Sequence, residues 1–241
     1  MEPCETPALL SVIIPVLGEN ENINRCIEDV FVLGGSRATE IIIVDGDPLE
    51  STLSVITDPR VTKVSSRPGR AIQMNAGARK ARGAILLFLH ADTRLSLDGF
   101  SLLRETVSSG CLAGAFDLRI NSTSPALRSI SRITSLRARI SRIPFGDQAL
   151  FFSAPYFREL GGFKEIPIME DVEIMKRIKN RGETICILPS RVYTSPRRWD
   201  QEGIFFCTIR NWCLRLLFAA GVSPARLAKM YRPHGSRHAG S

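Results

Sequence analysis

The sequence has few aromatic residues, no closely paired cysteines, no long apolar run and no internal repeat. Phe, Trp and Tyr make up 7% of the 241 residues, and the basic residues do not alternate with them. That excludes a base-stacking platform for single strands, and no nucleic-acid partner is expected. No apolar stretch approaches the roughly 20 residues that cross a bilayer. Mean hydropathy is +0.03, so no transmembrane span is expected. The N-terminal MEPCETPALLSVIIP lacks a basic segment before its apolar run, and a signal peptide is not expected. Cys4, Cys26, Cys111, Cys186, Cys207 and Cys213 form no CxxC pair and lie scattered in apolar contexts. They read as reduced, mostly buried thiols of a cytoplasmic protein, rather than as a metal site or a disulfide framework.

What is present suits one large domain. Hydrophobic residues make up 44% of the chain, enough to bury a full core. The net charge is +8, which fits a nucleic acid, an anionic membrane surface or a phosphorylated small molecule. The lack of interleaved aromatics already disfavours the first.

LLSVIIPVL (9 to 17) reads as a strand, and ENINRCIEDVFVLGG (21 to 35) as a helix stopped by Gly34-Gly35. TEIIIVDGD (39 to 47) is a second buried strand, LESTLSVI (49 to 56) a helix and VTKVSS (61 to 66) a third strand. GRAIQMNAGARKARG (69 to 83) is a helix with a glycine stop, and AILLFLHAD (84 to 92) a fourth strand. Strand and helix in alternation predict βαβ units on a parallel sheet. Beyond residue 110, CLAGAFDLRI (111 to 120) is expected as a strand alternating between faces, and 124–141 as a basic amphipathic helix. QALFFS (148 to 153) and TICIL (184 to 188) are further strands, separated by a helix that opens on Glu170-Asp171. Residues from Trp199 to Tyr231 are mainly helical, and the tail PHGSRHAGS is expected to be disordered. The resulting expectation is an α/β domain over 9–198 with a mostly parallel central sheet, and a C-terminal helical segment over 199–232 packed on it.

In such sheets ligands sit beyond the carboxyl ends of the strands. Asp45 and His90-Ala91-Asp92 lie at two of those ends, and Glu19 just past a third. Asp45 suits a hydrogen bond to a base or ribose, although Asp-Gly is also a common turn dipeptide. Asp92 suits a hard divalent cation that keeps substrate phosphates as further ligands. His90 suits Mn²⁺ or a phosphate, or a structural hydrogen bond. Arg70, Gln73 and Asn75 open a helix, where an arginine makes a natural phosphate site. Arg197-Arg198 is a second cationic point, or a solvated charge pair beside Trp199. Glu170, Asp171 and Glu173 fit the macrodipole of a helix N-terminus, and equally a general base facing an acceptor.

The ordered set SVIIPVLGENENI, EIIIVDGDPLEST, GRAIQMNAGA, LLFLHADT, GDQALFF and GGFKEIPIMEDVEIMKRI resembles the family 2 glycosyltransferases of GT-A fold. More narrowly it resembles their compact bacterial subgroup with an H-A-D-T motif, associated with arsenosugar and selenosugar pathways. The likeness extends to TSPRRWDQEG and RNWCLRLL near the end. It implies a single Rossmann-like GT-A domain and a hexosyl- or N-acetylhexosaminyl-transferase using a nucleotide sugar, UDP-linked, with Mg²⁺ or Mn²⁺. Pro15, Glu19 and Asp45 would line the nucleotide pocket, and Arg70 would contact the nucleotide or its diphosphate. His90-Ala91-Asp92 stands where the family has D-x-D, so Asp92 would hold the metal, with His90 beside it. Asp147 and Gln148 of GDQALFF would touch substrate, and Asp171 matches the catalytic base. Three positions depart from the family pattern: Gly18 replaces an Asn, Glu50 an Asp, and His90 the first Asp of D-x-D. The acceptor would be a small molecule such as selenophosphate or an arsenosugar precursor.

Two other functions remain open on the residues alone. One is a sugar nucleotidyltransferase on the same fold. The other is a protein working at an anionic membrane, as a binding module or as a glycosyltransferase with a lipid-phosphate acceptor, through the helix near Arg128 to Arg142 and the apolar IFFCTIRNWCLRLLFAAG. Core packing and homodimer contact are the plainer uses of those two helices.

Overall fold

A computed structural model describes residues 9–35 and 38–231. Cys4 and the tail PHGSRHAGS lie outside the described residues. The chain begins β1 (Leu10–Val16), α1 (Ile23–Gly34), β2 (Thr39–Asp45), α2 (Ser51–Ser54), β3 (Thr62–Ser65), α3 (Arg70–Lys80) and β4 (Ile85–Phe88). β1, β2 and β4 are apolar runs buried on both faces, as a covered parallel sheet requires. β1 pairs in parallel with both β2 and β4. β3 is short, exposed and carries Lys63, and it forms the outer edge.

The second half adds β5 (Thr93–Leu95), α4 (Gly99–Ser108), β6 (Ala113–Ile120) and α5 (Pro125–Ser141). A 3-10 turn at Gly146–Gln148, β7 (Phe151–Ser153), α6 (Ala154–Glu159), α7 (Glu170–Asn180) and β8 (Ile185–Thr194) follow. α8 (Arg197–Glu202), α9 (Ile204–Ala219) and α10 (Pro224–Met230) complete it. One eight-stranded sheet results, in the order β3-β2-β1-β4-β7-β6-β8-β5. The expected α/β domain with a mostly parallel sheet is thus observed, with β7 antiparallel to both β4 and β6 and β5 antiparallel to β8.

Alternate strand residues feed two cores. Val12, Ile14, Ile41 and Ile43 pack with α1 and α4 on one face. Ile13, Ile42 and Val44 pack with α3, α6 and α7 on the other. α3 approaches closely because Gly77 lacks a side chain: a Cβ there would lie 2.5 Å from Ile13 Cγ2. A smaller cluster of Phe145, Met169, Val172, Leu214 and Leu227 seats α9 and α10.

Several sequence expectations are corrected. β4 ends at Phe88, and His90-Ala91-Asp92 forms the turn beyond it, closed by Thr93 N–H donating to His90 O. α3 ends at Lys80, so Gly83 does not stop it. Gly83 instead lets the chain pass against β1, where a Cβ would meet Ser11 Oγ at 2.5 Å. β6 does not alternate over its first half, where Ala113 to Phe116 are all buried. Alternation starts at Asp117, after a register shift against β8. Nor are all the cysteines reduced. Parallel β6–β8 pairing sets Gly114 opposite Cys186 and brings Cys111 beside it, and Cys111 and Cys186 form a disulfide. Such a bond favours an oxidising compartment, so the cytoplasmic placement loses the support it drew from free thiols. Cys26 and Cys207 are free and buried, and Cys213 is free and exposed. Core packing accounts for one face only of α5 and of α9, whose other faces are exposed. Among the described residues no helix is long and apolar enough to cross a membrane.

Candidate active site

The carboxyl ends of β1 and β4, the first turns of α3 and α7 and the segment from Thr194 to Tyr231 enclose a cleft of about 500 Å³. Pro15, Glu19, Arg70, Gln73, His90, Ala91, Asp92, Asp147, Asp171, Arg197 and Arg198 all line it. Residues far apart in the chain therefore meet because strand ends and helix starts share one edge of the sheet.

Arg70 is the hub. Its guanidinium faces the His90 imidazole, close to Nε2 and 3.4 Å from Nδ1, so that one ring nitrogen can accept from it. Its Nε lies 3.7 Å from Glu170 Oε1. Burial, and then the Arg70 and Arg198 charges, hold His90 well below the ordinary imidazole range. A neutral ring is what a guanidinium needs as acceptor. The imidazole faces Arg70 and lines the cleft together with Asp92.

Asp92 lines the cleft, and its Oδ1 accepts from Thr93 Oγ1 at 3.1 Å. Among the described residues no three His, Cys, Asp or Glu side chains converge as an all-protein metal cage. One carboxylate facing a ligand crevice nevertheless fits a hard cation whose other ligands are substrate oxygens and water. On this donor set Asp92 fits a divalent ion.

Asp171 sits in the first turn of α7. Its Oδ2 accepts from Gly146 N–H at 2.7 Å and its Oδ1 from Val172 N–H at 2.7 Å. Met169 turns the chain into this helix with φ +70°, a left-handed conformation rare for a side-chain-bearing residue. Gly146 is where groups crowd: a Cβ there would meet Arg70 Nη2 and Asp171 Oδ2, each at 3.4 Å. Beside it, Asp147 has a buried Oδ1 with no hydrogen-bond partner. Burial pushes the Asp147 carboxyl up, Arg215 opposes that, and Asp171 adds to it. Burial likewise raises Glu170, with Arg70 opposing.

Glu19 accepts from Arg197 Nη2 at 3.0 Å, which ties the end of β1 to α8. Arg198 stacks on Tyr231, its Cζ 4.7 Å from the ring centroid. Gly18 adopts φ +69°, which glycine and asparagine both tolerate, so its departure from the family pattern keeps the backbone conformation. Glu50 bonds Ser65 on β3 and does not line the cleft.

Three expected substrate contacts do not line the cleft. Asp45 is fully buried, and accepts from the N–H groups of Asp47, Thr52 and Leu53, which caps α2. Asn75 exchanges two hydrogen bonds with the Phe163 backbone, 2.8 and 2.9 Å. Gln148 accepts from Phe145 N–H and donates to Phe116 O. In each case backbone partners engage the polar head. Gln73 lines the cleft, yet its Nε2 is spent on Val16 O and Val44 O, clamping β1 to β2.

Arg215 was not legible as a cleft residue from its sequence context. It comes from α9 and lies 3.3 Å above the Phe145 ring, while Arg137 of α5 lies 3.5 Å over the same ring. Burial lowers Arg215, with Asp147 and Asp171 opposing, and burial lowers Arg137 to about 10. Both stay charged at neutral pH. Trp199, whose buried Nε1 has no partner, also lines the cleft. The RNWCLRLL motif contains Arg215, but only packing distinguishes it from Arg210, which pairs with Glu202.

Cations and carboxylates thus face one another across a cleft that can take an anion and a divalent ion together. Comparison with known proteins bears on that chemistry. Residues 11–157 match the model of glycosyl transferase family 2. Among solved structures the chain is similar to a mannosyltransferase of Pyrobaculum calidifontis in complex with GDP-Man and Mn²⁺, with TM-score 0.62 and 18% identity, over 78% of this chain and 57% of that one. It is also similar to TarS of S. aureus, with TM-score 0.60 and 14% identity, over 87% of this chain and 65% of that one. The TarS complex with UDP-GlcNAc matches over 78% and 58%, with TM-score 0.60 and 14% identity. The chain spans less than two thirds of each of these structures. Such identities speak for the GT-A fold alone. No curated protein sequence matches the chain. Because the family model covers more than half of the chain, from β1 through the cleft turn at Asp147, the chain belongs to glycosyl transferase family 2.

Proposed function

We propose that the protein transfers a sugar from a UDP-sugar to a small anionic acceptor. The observation that carries this is the convergence of Arg70, Asp92 and Asp171 on one cleft at the strand ends. Arg70 and Arg198 are proposed to bind the donor diphosphate, since planar guanidinium groups match its oxygens. Asp92 would hold Mg²⁺ or Mn²⁺, and the bound ion supplies neutralisation of the leaving diphosphate. The complex of the mannosyltransferase with Mn²⁺ supports a divalent ion here.

Asp171 is proposed as the base. Its orientation by Gly146 N–H supports that role. It would take the proton of a hydroxyl acceptor as that oxygen bonds to the anomeric carbon and the sugar–diphosphate bond breaks. Arg70 and Arg198 would hold the charge that leaves. For an acceptor that is already anionic, such as selenophosphate or an arsenosugar-type precursor, no proton needs removal and Asp171 would only orient. The H-A-D-T resemblance supports an acceptor of that kind.

The neighbouring structures hold both GDP- and UDP-sugars, so the donor is decided by binding. Calorimetry with UDP, GDP and CMP, with Mg²⁺ or Mn²⁺ present, is expected to rank UDP first. Tighter GDP binding would overturn the UDP assignment. Release of free nucleoside diphosphate identifies sugar transfer, whereas release of inorganic diphosphate would mark a nucleotidyltransferase.

A further inference from the structure

We infer that the outer faces of α5 and α9 dock on an anionic lipid bilayer. α5 buries Leu127, Ser131 and Ala138 and turns Ile133, Leu136 and Ile140 outward, the last 76% exposed. α9 buries Cys207 and Leu214 and leaves Phe205, Ile209, Trp212 and Leu216 outside, with Phe205 79% and Leu216 69% exposed. Steps of three and four residues put each set on one helical face. The two helices flank Phe145, since Arg137 of α5 and Arg215 of α9 both stack on its ring. Isolated exposed apolar residues are ordinary, but a full row on each of two helices flanking one ring marks an interaction surface.

Charge decides what covers it. Residues 124–142 and 204–231 together hold nine Arg or Lys and no Asp or Glu, so essentially all of the net charge of +8 resides in these two segments. Arg128 and Arg132 on α5, and Arg226 and Lys229 on α10, are exposed. A second copy of the chain would set this cationic surface against itself, which like-charge repulsion disfavours. A bilayer bearing anionic headgroups satisfies both features. The apolar rows enter the acyl boundary and the cations meet the headgroups. Neither helix is long and apolar enough to cross, so the protein would lie on the surface. Arg215 lines the cleft from α9, so docking would bring the cleft to the membrane edge. Docking is independent of the donor and acceptor proposed above.

The test mixes the full chain with vesicles of phosphatidylcholine alone or of phosphatidylcholine and phosphatidylglycerol in equal parts. Flotation is expected with the anionic vesicles and to weaken as salt rises. Trp212 emission should shift to the blue on binding, and the shift should vanish in Trp212→Phe. The pair Ile209→Glu and Leu216→Glu should cut the bound fraction at least about tenfold. Arg128→Ser with Arg132→Ser should cut it about fivefold per cation. Melting curves show whether these variants fold; if one does not, Trp212 emission in the native chain decides. No binding to anionic vesicles, equal binding to pure phosphatidylcholine, or unchanged binding by the Glu pair would each overturn docking. So would a stable dimer that fails to bind vesicles and that the Glu pair splits into monomers. A failure to bind UDP would leave the vesicle result standing.

Discussion

The main-chain N–H of Gly146 donates to Asp171 Oδ2 at 2.7 Å, linking the turn after α5 to the first turn of α7 across 25 residues of sequence. The other oxygen accepts from Val172 N–H of its own helix. Asp171 is thus both a helix-start carboxylate and an oriented group on the cleft, and the two roles separate by experiment.

Asp171→Asn is expected to fold and to bind UDP as the native protein does, yet to lose about 10²-fold or more in rate with a hydroxyl acceptor. With an anionic acceptor the loss should shrink. If Asp171 only caps α7, Asp171→Ala costs about 0.5–2 kcal/mol of stability and leaves the rate of the folded enzyme unchanged. Steady-state kinetics with both acceptor types, beside melting curves, distinguishes the outcomes. Full rate in Asp171→Asn would redirect the search to Asp147.

Arg70→Ala is expected to weaken UDP binding about 10- to 100-fold, as a lost charge-assisted contact implies. It also leaves the buried Glu170 without its partner. Adding Glu170→Gln should therefore recover thermal stability without recovering UDP affinity. Recovery of both would make Arg70 a structural residue only.

Asp92→Asn should abolish the tightening of UDP binding by Mn²⁺ and remove most turnover, several kcal/mol of transition-state stabilisation being at stake. His90→Ala should spare the Mn²⁺ response, because the imidazole is engaged by Arg70. Titration of Mn²⁺ into each variant with UDP present checks this, and native activity that survives EDTA would remove the metal from the reaction.

Glu40 predicts a pH dependence of stability away from the cleft. Burial alone would raise its carboxyl, but the hydrogen bonds from Ser11 and Arg82 outweigh burial and hold it below its ordinary 4.5. The unfolded chain then binds more protons than the folded one below about that pH. The contribution is full above pH about 4.5 and is lost as the pH falls through the depressed value. Glu40→Gln should flatten this acid limb and cost about 1–3 kcal/mol at neutral pH, because the amide keeps one oxygen for Ser11, Arg82 N–H and Gly83 N–H but loses the charge and the second oxygen, which accepts from Arg82 Nε. Urea melts of both proteins across the acid range provide the measurement.

The sequence by itself determined the βαβ half of the molecule. Runs such as IIIVD and ILLF bury both faces wherever they are placed, and the helix between them has no stable choice but to cover the sheet. The same logic put Glu19 and His90-Ala91-Asp92 at strand ends, and those residues do line the cleft. Their partners were not legible. Whether a polar side chain faces a ligand or a nearby backbone depends on groups brought up by distant segments: Phe163 claims Asn75, the start of α2 claims Asp45, and Phe116 claims Gln148. The disulfide needed the register of β6 on β8, and Arg215 needed α9 to fold over Phe145. Periodicity fixes which face of an element is apolar, because that is local. Only the tertiary structure decides which apolar faces find cover, and here it left those of α5 and α9 without any among the described residues.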